Sequence, residues 1–184
     1  PRIGAAIELL HAAALFHDDV IDDDDTRRSR QSTHKNFAES HSTNGWVGES
    51  RRFGEGSAIL IGDITYVLSD SLTNSLSAEA RLIWHDLRLE MNIGQYLDVL
   101  GSARQTRDIA EADLICRMKS AKYTIERPLH LGVLLAGGSP ELLTTFTNYG
   151  LPLGEAFQLR DDVLGVFGDP SETGKPAGDD LREG

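Results

Sequence analysis

The chain has few cysteines and few basic residues. Cys116 is the one cysteine among 184 residues, which excludes a disulfide within the chain and any metal site built from several cysteines. The 18 Lys and Arg residues stand against 29 Asp and Glu, and the formal net charge is −11. With no broad basic face in the sequence, the composition argues against a general nucleic-acid binder.

Long apolar runs and internal repeats are also missing from the sequence. No apolar run approaches the roughly 18 residues of a membrane span, and no signal peptide is visible. The sequence opens at Pro1, without Met and already inside a helical pattern, so a cytoplasmic location is only the default expectation. Hydrophobic residues make up 40% and charged residues 26%, which is typical of an ordinary globular protein. We expect one domain over residues 1–184.

Apolar residues recur at helical spacing along most of the chain, which predicts an all-α fold of six or seven helices. The first helix carries an apolar stripe directly into an acidic run, whereas residues 26–50 are rich in Ser, Thr, Asn, Arg and Gly and are predicted to be a loop. Further helices are expected at about 51–76, 78–101, 108–118 with a continuation toward Ala136, and 139–167, followed by a terminal loop at 168–184. Asp108 is expected to cap the third of these helices, and Gly137-Gly138 to end its continuation. Pro128 should kink or interrupt that continuation, and Pro152 should bend the last helix.

Two aspartate-rich clusters are the most informative feature. They read DDVID at 18–22 and DDVLG at 161–165, and each ends an apolar helical stretch. Helix positions i and i+4 are offset by about 40° and by about 6 Å along the axis. Asp18 and Asp22 should therefore present two carboxylates on one face, with Asp19 pointing elsewhere. Mg²⁺ commonly binds through one or two carboxylates plus substrate phosphates, and Arg27 and Arg28 follow as a diphosphate clamp requires.

The first cluster has two other interpretations that involve no substrate. A solvated acidic helix end would need no metal, and an acidic helical cation buffer would bind Mg²⁺ or Ca²⁺ without diphosphate. An EF-hand loop fails, because counting from Asp22 the sixth position is Arg27 rather than Gly and the twelfth is Thr33 rather than Glu. The second acidic pair, also placed after an apolar stripe, favours a substrate site.

Three segments together resemble a bacterial trans-isoprenyl diphosphate synthase of the polyprenyl synthetase family. They are HDDVIDDDDTRRSR at 17–30, KSAKYTIERPLHLG at 119–132 and GEAFQLRDDVLGVFGDPSETGKPAGDDLREG at 154–184. The resemblance covers essentially the whole chain, which corresponds to the central half to two-thirds of such an enzyme. It implies part of an isoprenoid synthase helical bundle around a central cavity, without the N-terminal and C-terminal helices or the N-terminal Gly-Lys-x-x-Arg segment that helps bind isopentenyl diphosphate.

The resemblance also implies roles for particular residues. The residues expected to hold three Mg²⁺ ions are Asp18, Asp22 and Asp161, with support from Asp19 and Asp162. Those expected to bind diphosphate are Arg27 for the allylic substrate, Arg28 for isopentenyl diphosphate, and Lys119 and Lys175 for the leaving group. Those expected beside the developing positive charge are Ser120 and Gln158. Gln95 and Asp98 suit either a structural contact or the site.

The implied activity is Mg²⁺-dependent condensation of an allylic diphosphate with isopentenyl diphosphate, carried out by a homodimer. The residues expected to limit product length are Ala13 and Ala14, with Leu10 one turn further back. Relatives with an aromatic residue at either alanine stop near farnesyl length, so the small side chains imply geranylgeranyl diphosphate first and longer chains as the next alternative. Gly165 stands where many members carry a third Asp, which leaves open a non-catalytic subunit of a heteromeric synthase. A class I terpene cyclase is a further alternative.

Overall fold

The computed structural model describes residues 1–105 and 108–168. Nearly all of them are helical, which confirms the predicted all-α fold. Within these ranges the elements are α1 (Arg2–Ile21), β1 (Thr26–Arg27), β2 (Arg30–Gln31), α2 (Thr33–Thr43), α3 (Ser50–Ser71), α4 (Ala78–Arg104), α5 (Ile109–Ile115), a π-helix (Cys116–Glu126), α6 (Arg127–Leu135) and α7 (Pro140–Phe167). No described helix is long and apolar enough to cross a membrane.

The described residues fall into two compact units, one from Pro1 to Ser75 and the other from Leu76 onward. In the first unit, α1 and α2 both pack on α3. Small residues allow this close packing: the ring of His17 on α1 lies directly against Gly62 on α3. The Ser69 hydroxyl also donates to the Ala6 carbonyl oxygen at 2.6 Å. The buried apolar side chains of this unit are Ala6, Leu10, Ala13 and Ala58.

In the second unit, the π-helix packs against α4 and α7, and α6 also contacts all three. The fully buried side chains of Trp84, Leu87 and Leu131 form the centre of its core. Glycines on α4 and α7 touch the backbone of the π-helix. The expected single domain over residues 1–184 stays a prediction.

The prediction of a loop over 26–50 is wrong. A two-stranded antiparallel hairpin pairs Thr26 with Gln31 and Arg27 with Arg30, and α2 follows it. Two residues per strand are too few to produce an alternating pattern. The side chains that α2 buries are His34 and His41, and the apolar Phe37 and Ala38 on the same face lie against Phe53 and Gly54 of α3. Two apolar residues are too few for a recognisable helical period.

The predicted helix from Asp108 toward Ala136 is present, but it changes type along its length. Asp108 caps α5 as predicted, since its carboxylate accepts from the Ala110 amide at 2.9 Å. The backbone then becomes a π-helix at Cys116 and returns to α at Arg127. Pro128 lies in the first turn of α6, where its missing N–H is tolerated. Pro152 lies inside α7, which continues past it. Of the predicted terminal loop, residues 169–184 lie outside the described part of the chain.

Candidate active site

The first acidic cluster lies where α1 ends. The Asp22 amide donates to the Asp18 carbonyl oxygen at 2.9 Å, so helical geometry extends to Asp22 and places the two side chains one turn apart on one face. Asp18 is half-buried, whereas Asp19 is buried with 3% of its surface exposed. The three carboxylates therefore differ: Asp18 and Asp22 reach solvent and Asp19 turns into the protein.

Arg27 binds the buried side of this cluster. Its Nε donates to Asp19 Oδ1 at 2.6 Å, and its Nη2 donates to Asp24 Oδ2 at 3.0 Å and to Asp18 Oδ2 at 3.4 Å. Burial opposes the charge of Arg27, yet the hydrogen bond to Asp19 and the charges of Asp19, Asp18 and Asp24 raise the pKa of the guanidinium above its usual value. Arg27 thus offsets the mutual repulsion of three carboxylates and fixes the hairpin to the end of α1.

Arg28 lies at the tip of that hairpin. It forms the two-residue turn with Ser29, and φ is +52° at Arg28 and +60° at Ser29. Positive φ at both central residues is typical of a type I′ hairpin turn, which favours Gly and Asn. Two L residues with ordinary side chains are therefore held in a left-handed conformation, which costs about 1–2 kcal/mol each. Arg28 itself is exposed, and its role in binding isopentenyl diphosphate stays a prediction.

Lys35 binds a separate part of the acidic run. Its Nζ lies 2.9 Å from Asp23 Oδ1 and 3.0 Å from Asp25 Oδ1. Two cations therefore bind different parts of the acidic run, because Arg27 pairs with Asp18, Asp19 and Asp24 while Lys35 pairs with Asp23 and Asp25.

The chemistry of the donors fits Mg²⁺. Asp18 and Asp22 offer hard carboxylate oxygens on one face of a helix end. Within residues 1–105 and 108–168, no three His, Cys, Asp or Glu side chains are grouped closely enough to hold a metal ion by themselves. The pair of carboxylates one turn apart suits Mg²⁺, which commonly binds through one or two carboxylates and completes its coordination with water and substrate phosphate.

The predicted product-length residues lie on α1 before the cluster. Leu10 and Ala13 are fully buried within the first unit, with no exposed surface, whereas Ala14 is half-buried. Of the three, Ala14 is the one with surface left for a bound chain to touch. Their role in setting product length stays a prediction.

Lys119 and Ser120 lie in the π-helix of the second unit. The Lys119 ammonium donates to Asp98 Oδ2 on α4 at 2.6 Å. Asp98, for which the sequence left a structural contact or a role in the site open, therefore contacts a predicted site residue directly. Ser120 is largely buried beside it. A long π-helix is rare, and π-helical turns occur frequently at functional sites.

Glu90 is a feature that sequence reasoning missed. Its carboxylate accepts hydrogen bonds from Arg127 at 2.7 Å and 2.9 Å and from Lys122 at 2.5 Å. Burial opposes the charge, but the hydrogen bonds from Arg127 and Lys122 hold the pKa of Glu90 below its usual value. Lys122 and Arg127 are five residues apart, which is the hydrogen-bond spacing of a π-helix. That spacing places Lys122 and Arg127 on one face only if the helix is a π-helix, which the sequence did not indicate.

The second acidic pair lies near the end of α7. Asp161 and Asp162 are both exposed, and the Gln158 amide donates to Asp162 Oδ1 at 2.7 Å, one turn along the helix. Gln158 thus orients Asp162, and the role of Asp161 as a metal ligand stays a prediction. Lys175 lies outside the described residues. The predicted binding of one diphosphate by both acidic clusters stays a prediction.

Comparison with known proteins identifies the family of this chain. The family model for polyprenyl synthetase matches residues 1–184. A geranylgeranyl diphosphate synthase of Mycobacterium tuberculosis is 33% identical over 97% of this chain and 48% of its own length. A geranylfarnesyl diphosphate synthase of Aeropyrum pernix is 32% identical over 99% of this chain and 55% of its own.

One solved structure is more similar still. The geranylgeranyl pyrophosphate synthase of Corynebacterium glutamicum, complexed with isoprenyl diphosphate and magnesium, is 45% identical, with a TM-score of 0.94 over 99% of this chain and 53% of that one. The chain spans about half the length of the relatives it matches. Because the family model matches every residue from 1 to 184, this chain belongs to the polyprenyl synthetase family.

Proposed function

We propose that the full-length protein is a Mg²⁺-dependent trans-prenyltransferase that condenses an allylic diphosphate with isopentenyl diphosphate. The observation that carries the proposal is the end of α1, where Asp18 and Asp22 share one face and Arg27 holds the neighbouring carboxylates in place. The family relationship supports it, as does the similar Corynebacterium enzyme solved with isoprenyl diphosphate and magnesium. The chemistry requires that combination, because a departing diphosphate needs concentrated positive charge.

In this proposal three Mg²⁺ ions are held by Asp18, Asp22 and Asp161, and Asp19 and Asp162 orient those ligands. Bound Mg²⁺ supplies Lewis-acid neutralisation of the diphosphate charge. Arg27 steadies the acidic cluster through Asp19 and contributes positive charge toward the allylic diphosphate. Arg28 binds isopentenyl diphosphate from the hairpin tip. Lys119 and Lys175 neutralise the leaving group as its bond to carbon breaks.

The other half of the reaction is a delocalised allylic cation. Ser120 and Gln158 supply oxygen dipoles that stabilise positive charge without acting as nucleophiles, and the apolar walls exclude water. The double bond of isopentenyl diphosphate attacks the cation, a new carbon–carbon bond forms, and a proton leaves to the departed diphosphate. No side-chain base is needed for this step.

The finer assignments belong to the same proposal. Ala14, with Ala13 and Leu10 behind it, leaves room for geranylgeranyl diphosphate, while the relatives named above include both geranylgeranyl and geranylfarnesyl synthases. We place the enzyme in the cytoplasm, as a homodimer whose subunits each contain one polyprenyl synthetase domain, with this chain as its central part.

The test is an assay of the full-length protein with an allylic diphosphate, with and without isopentenyl diphosphate, in Mg²⁺ and after chelation. We expect products longer by five-carbon units, only with both substrates and only with metal. Hydrocarbon from the allylic substrate alone would favour a terpene cyclase. No turnover alone, with activation of a second synthase chain on mixing, would favour a non-catalytic subunit. Metal uptake that is indifferent to a bisphosphonate would favour a cation buffer.

A pair of variants sharpens this test. Asp18→Ala should lower turnover by roughly three to five orders of magnitude, since losing a metal ligand removes several kcal/mol of transition-state stabilisation. Asp25→Ala is the matched control within the same acidic run, because the Asp25 side chain is 85% exposed and pairs only with Lys35 in the contacts described. Its turnover should stay within threefold of the parent. An Asp18→Ala enzyme within tenfold of the parent would remove Asp18 from the metal site.

A further inference from the structure

The π-helix that carries Lys119 needs support from its neighbours. It spans eleven residues, Cys116–Glu126, whereas most π-helices are single turns inserted in α-helices. Its i→i+5 hydrogen bonds close a wider ring than those of an α-helix, so the backbone occupies a larger cross-section. A helix of this width can pack closely only where the facing helices offer small side chains.

On α4 that place is Gly94. A Cβ at Gly94 would stand 2.8 Å from the Lys119 Cα and 2.8 Å from the Met118 carbonyl carbon. Real Cβ atoms do not approach backbone so closely, and backbone cannot move aside as a flexible side chain can. The bare backbone of Gly94 is therefore what allows the Lys119 backbone to lie directly on α4.

The same helix also binds the other end of Lys119. Asp98 follows Gly94 by one turn of α4, and its Oδ2 accepts from the Lys119 ammonium at 2.6 Å. Lys119 is thus fixed to α4 twice, at its backbone by Gly94 and at its ammonium by Asp98. A shift of the backbone away from α4 would carry the ammonium with it and change the place where its positive charge lies.

The other glycine of α4, Gly101, is not required by packing in this way. Gly101 lies two turns further along the same helix, and a Cβ there would meet only Ile115 Cδ1 at 3.8 Å, an ordinary contact. The demand for glycine is therefore specific to the position that faces Lys119.

We propose that Gly94 is a positioning residue, which sets the location of the Lys119 ammonium by holding the π-helix backbone against α4. The proposal rests on the function given above, in which Lys119 neutralises the departing diphosphate. Because that interaction is needed as the bond breaks, displacement of Lys119 should lower kcat more than it raises KM. A displacement of about 1 Å can cost a hundredfold in rate.

The experiment compares Gly94→Ala with Gly101→Ala in the full-length protein. We expect Gly94→Ala to lower kcat by about ten- to hundredfold, with KM for both substrates changed less than kcat, and Gly101→Ala to stay within twofold of the parent. A double-mutant cycle then tests the route. In a Lys119→Ala background, Gly94→Ala should change kcat by less than threefold. Losses that multiply, or equal activity of the two glycine variants, would overturn the proposal.

A measurement without substrate separates this proposal from the assigned activity. Amide hydrogen exchange over residues 116–126 should be faster in Gly94→Ala than in the parent and unchanged in Gly101→Ala. Unchanged exchange in Gly94→Ala would overturn the positioning role whatever the parent catalyses. A parent that exchanges as expected but never condenses the two substrates would instead remove the proposed function.

A second variant covers the case in which Gly94→Ala does not fold. Asp98→Asn leaves the backbone contact intact and removes the charge that holds the ammonium. It should lower kcat at least fivefold in the parent background and less than threefold in the Lys119→Ala background. If the two losses multiply, α4 does not act through Lys119.

Discussion

The Arg27 side chain binds Asp19 through a 2.6 Å hydrogen bond from Nε, and Asp19 is buried at the end of α1 with 3% of its surface exposed. The two residues are eight apart in sequence, and this pair joins the β-hairpin to the helix that carries the proposed metal ligands. A buried carboxylate is costly unless a cation and hydrogen bonds compensate it. Arg27 compensates Asp19, and in doing so it holds Asp18 within 3.4 Å of the same guanidinium.

The first prediction concerns that pair. Asp19→Ala should destabilise the full-length protein by roughly 2–4 kcal/mol, since it leaves a half-buried guanidinium with fewer acceptors. Urea denaturation at pH 7 measures the change. Asp25→Ala is the control, because Asp25 forms only an exposed pair with Lys35 and should cost less than about 0.5 kcal/mol. Equal losses in the two variants would mean that the Arg27–Asp19 pair does not fix the hairpin.

The second prediction concerns the hairpin turn. Ser29→Gly should stabilise the protein by about 0.5–1 kcal/mol, because φ is +60° at Ser29 and glycine adopts that conformation without the steric cost of a Cβ. The larger entropy of glycine in the unfolded chain offsets part of the gain. Thermal unfolding measures it. Ser29→Ala keeps the Cβ and should give no gain, so a stabilised alanine variant would contradict the role assigned to the turn.

The long helices were predictable because their signals are local. Apolar residues at helical spacing gave α1, α3 and α4 to within a few residues. Caps gave two more boundaries: Asp108 opens α5 through its own carboxylate, and Gly137, with φ of +68°, follows the end of α6. Each of these signals lies within one or two turns of the boundary that it marks.

The missed elements depend on contacts that are not local. The inward face of α2 combines the buried His34 and His41 with the apolar Phe37 and Ala38, so its hydrophobic period is too short to recognise. The π-helix is supported by Gly94 and Gly154, which lie on other helices. No pattern within residues 116–126 distinguishes it from an ordinary α-helix.

The residues of the candidate site likewise fall into those placed by local helix geometry and those placed by contacts distant in sequence. Helix geometry alone placed Asp18 and Asp22 on one face and turned Asp19 away, and the structure has that arrangement. Glu90, by contrast, lies 32 residues before Lys122 and 37 before Arg127. Ion pairs across such separations depend on the packing of α4 against the π-helix, which no local spacing encodes.

The third prediction follows from the lowered pKa of Glu90. A carboxylate whose pKa is lowered by folding stabilises the folded state at pH values above its usual pKa of 4.5. That stability is lost as the pH falls through the lowered pKa of the folded state. The difference in unfolding free energy between the parent and Glu90→Gln should therefore be largest near neutral pH. It should shrink as pH falls below 4.5. Denaturant unfolding at a series of pH values measures it.

Glu155→Gln is the control for that series. Glu155 pairs with Arg117 on the surface, where a single ion pair contributes about 1 kcal/mol or less. The parent and Glu155→Gln should differ little at any pH. If Glu90→Gln differs from the parent by the same amount at pH 7 and well below 4.5, the carboxylate charge of Glu90 does not stabilise the fold.

The fourth prediction concerns product length. Ala14→Phe should shorten the product by at least one five-carbon unit, because an aromatic ring would extend from the half-buried position one turn before Asp18 into the space proposed for the growing chain. Ala13 is a poorer site for this test, since it is fully buried and a large side chain there would strain the core by about 1–3 kcal/mol. Chromatographic sizing of the dephosphorylated product measures the change.

Ala5→Phe is the control for ring size alone, because Ala5 lies on the same helix with its side chain exposed. It should leave the product unchanged, while Ala14→Phe moves the main product toward farnesyl length. The two variants differ only in where on α1 the ring is placed. A shorter product from Ala14→Phe alone would therefore show that this face of the helix limits product length. A folded, active Ala14→Phe enzyme with the parent's product distribution would instead mean that another element limits product length.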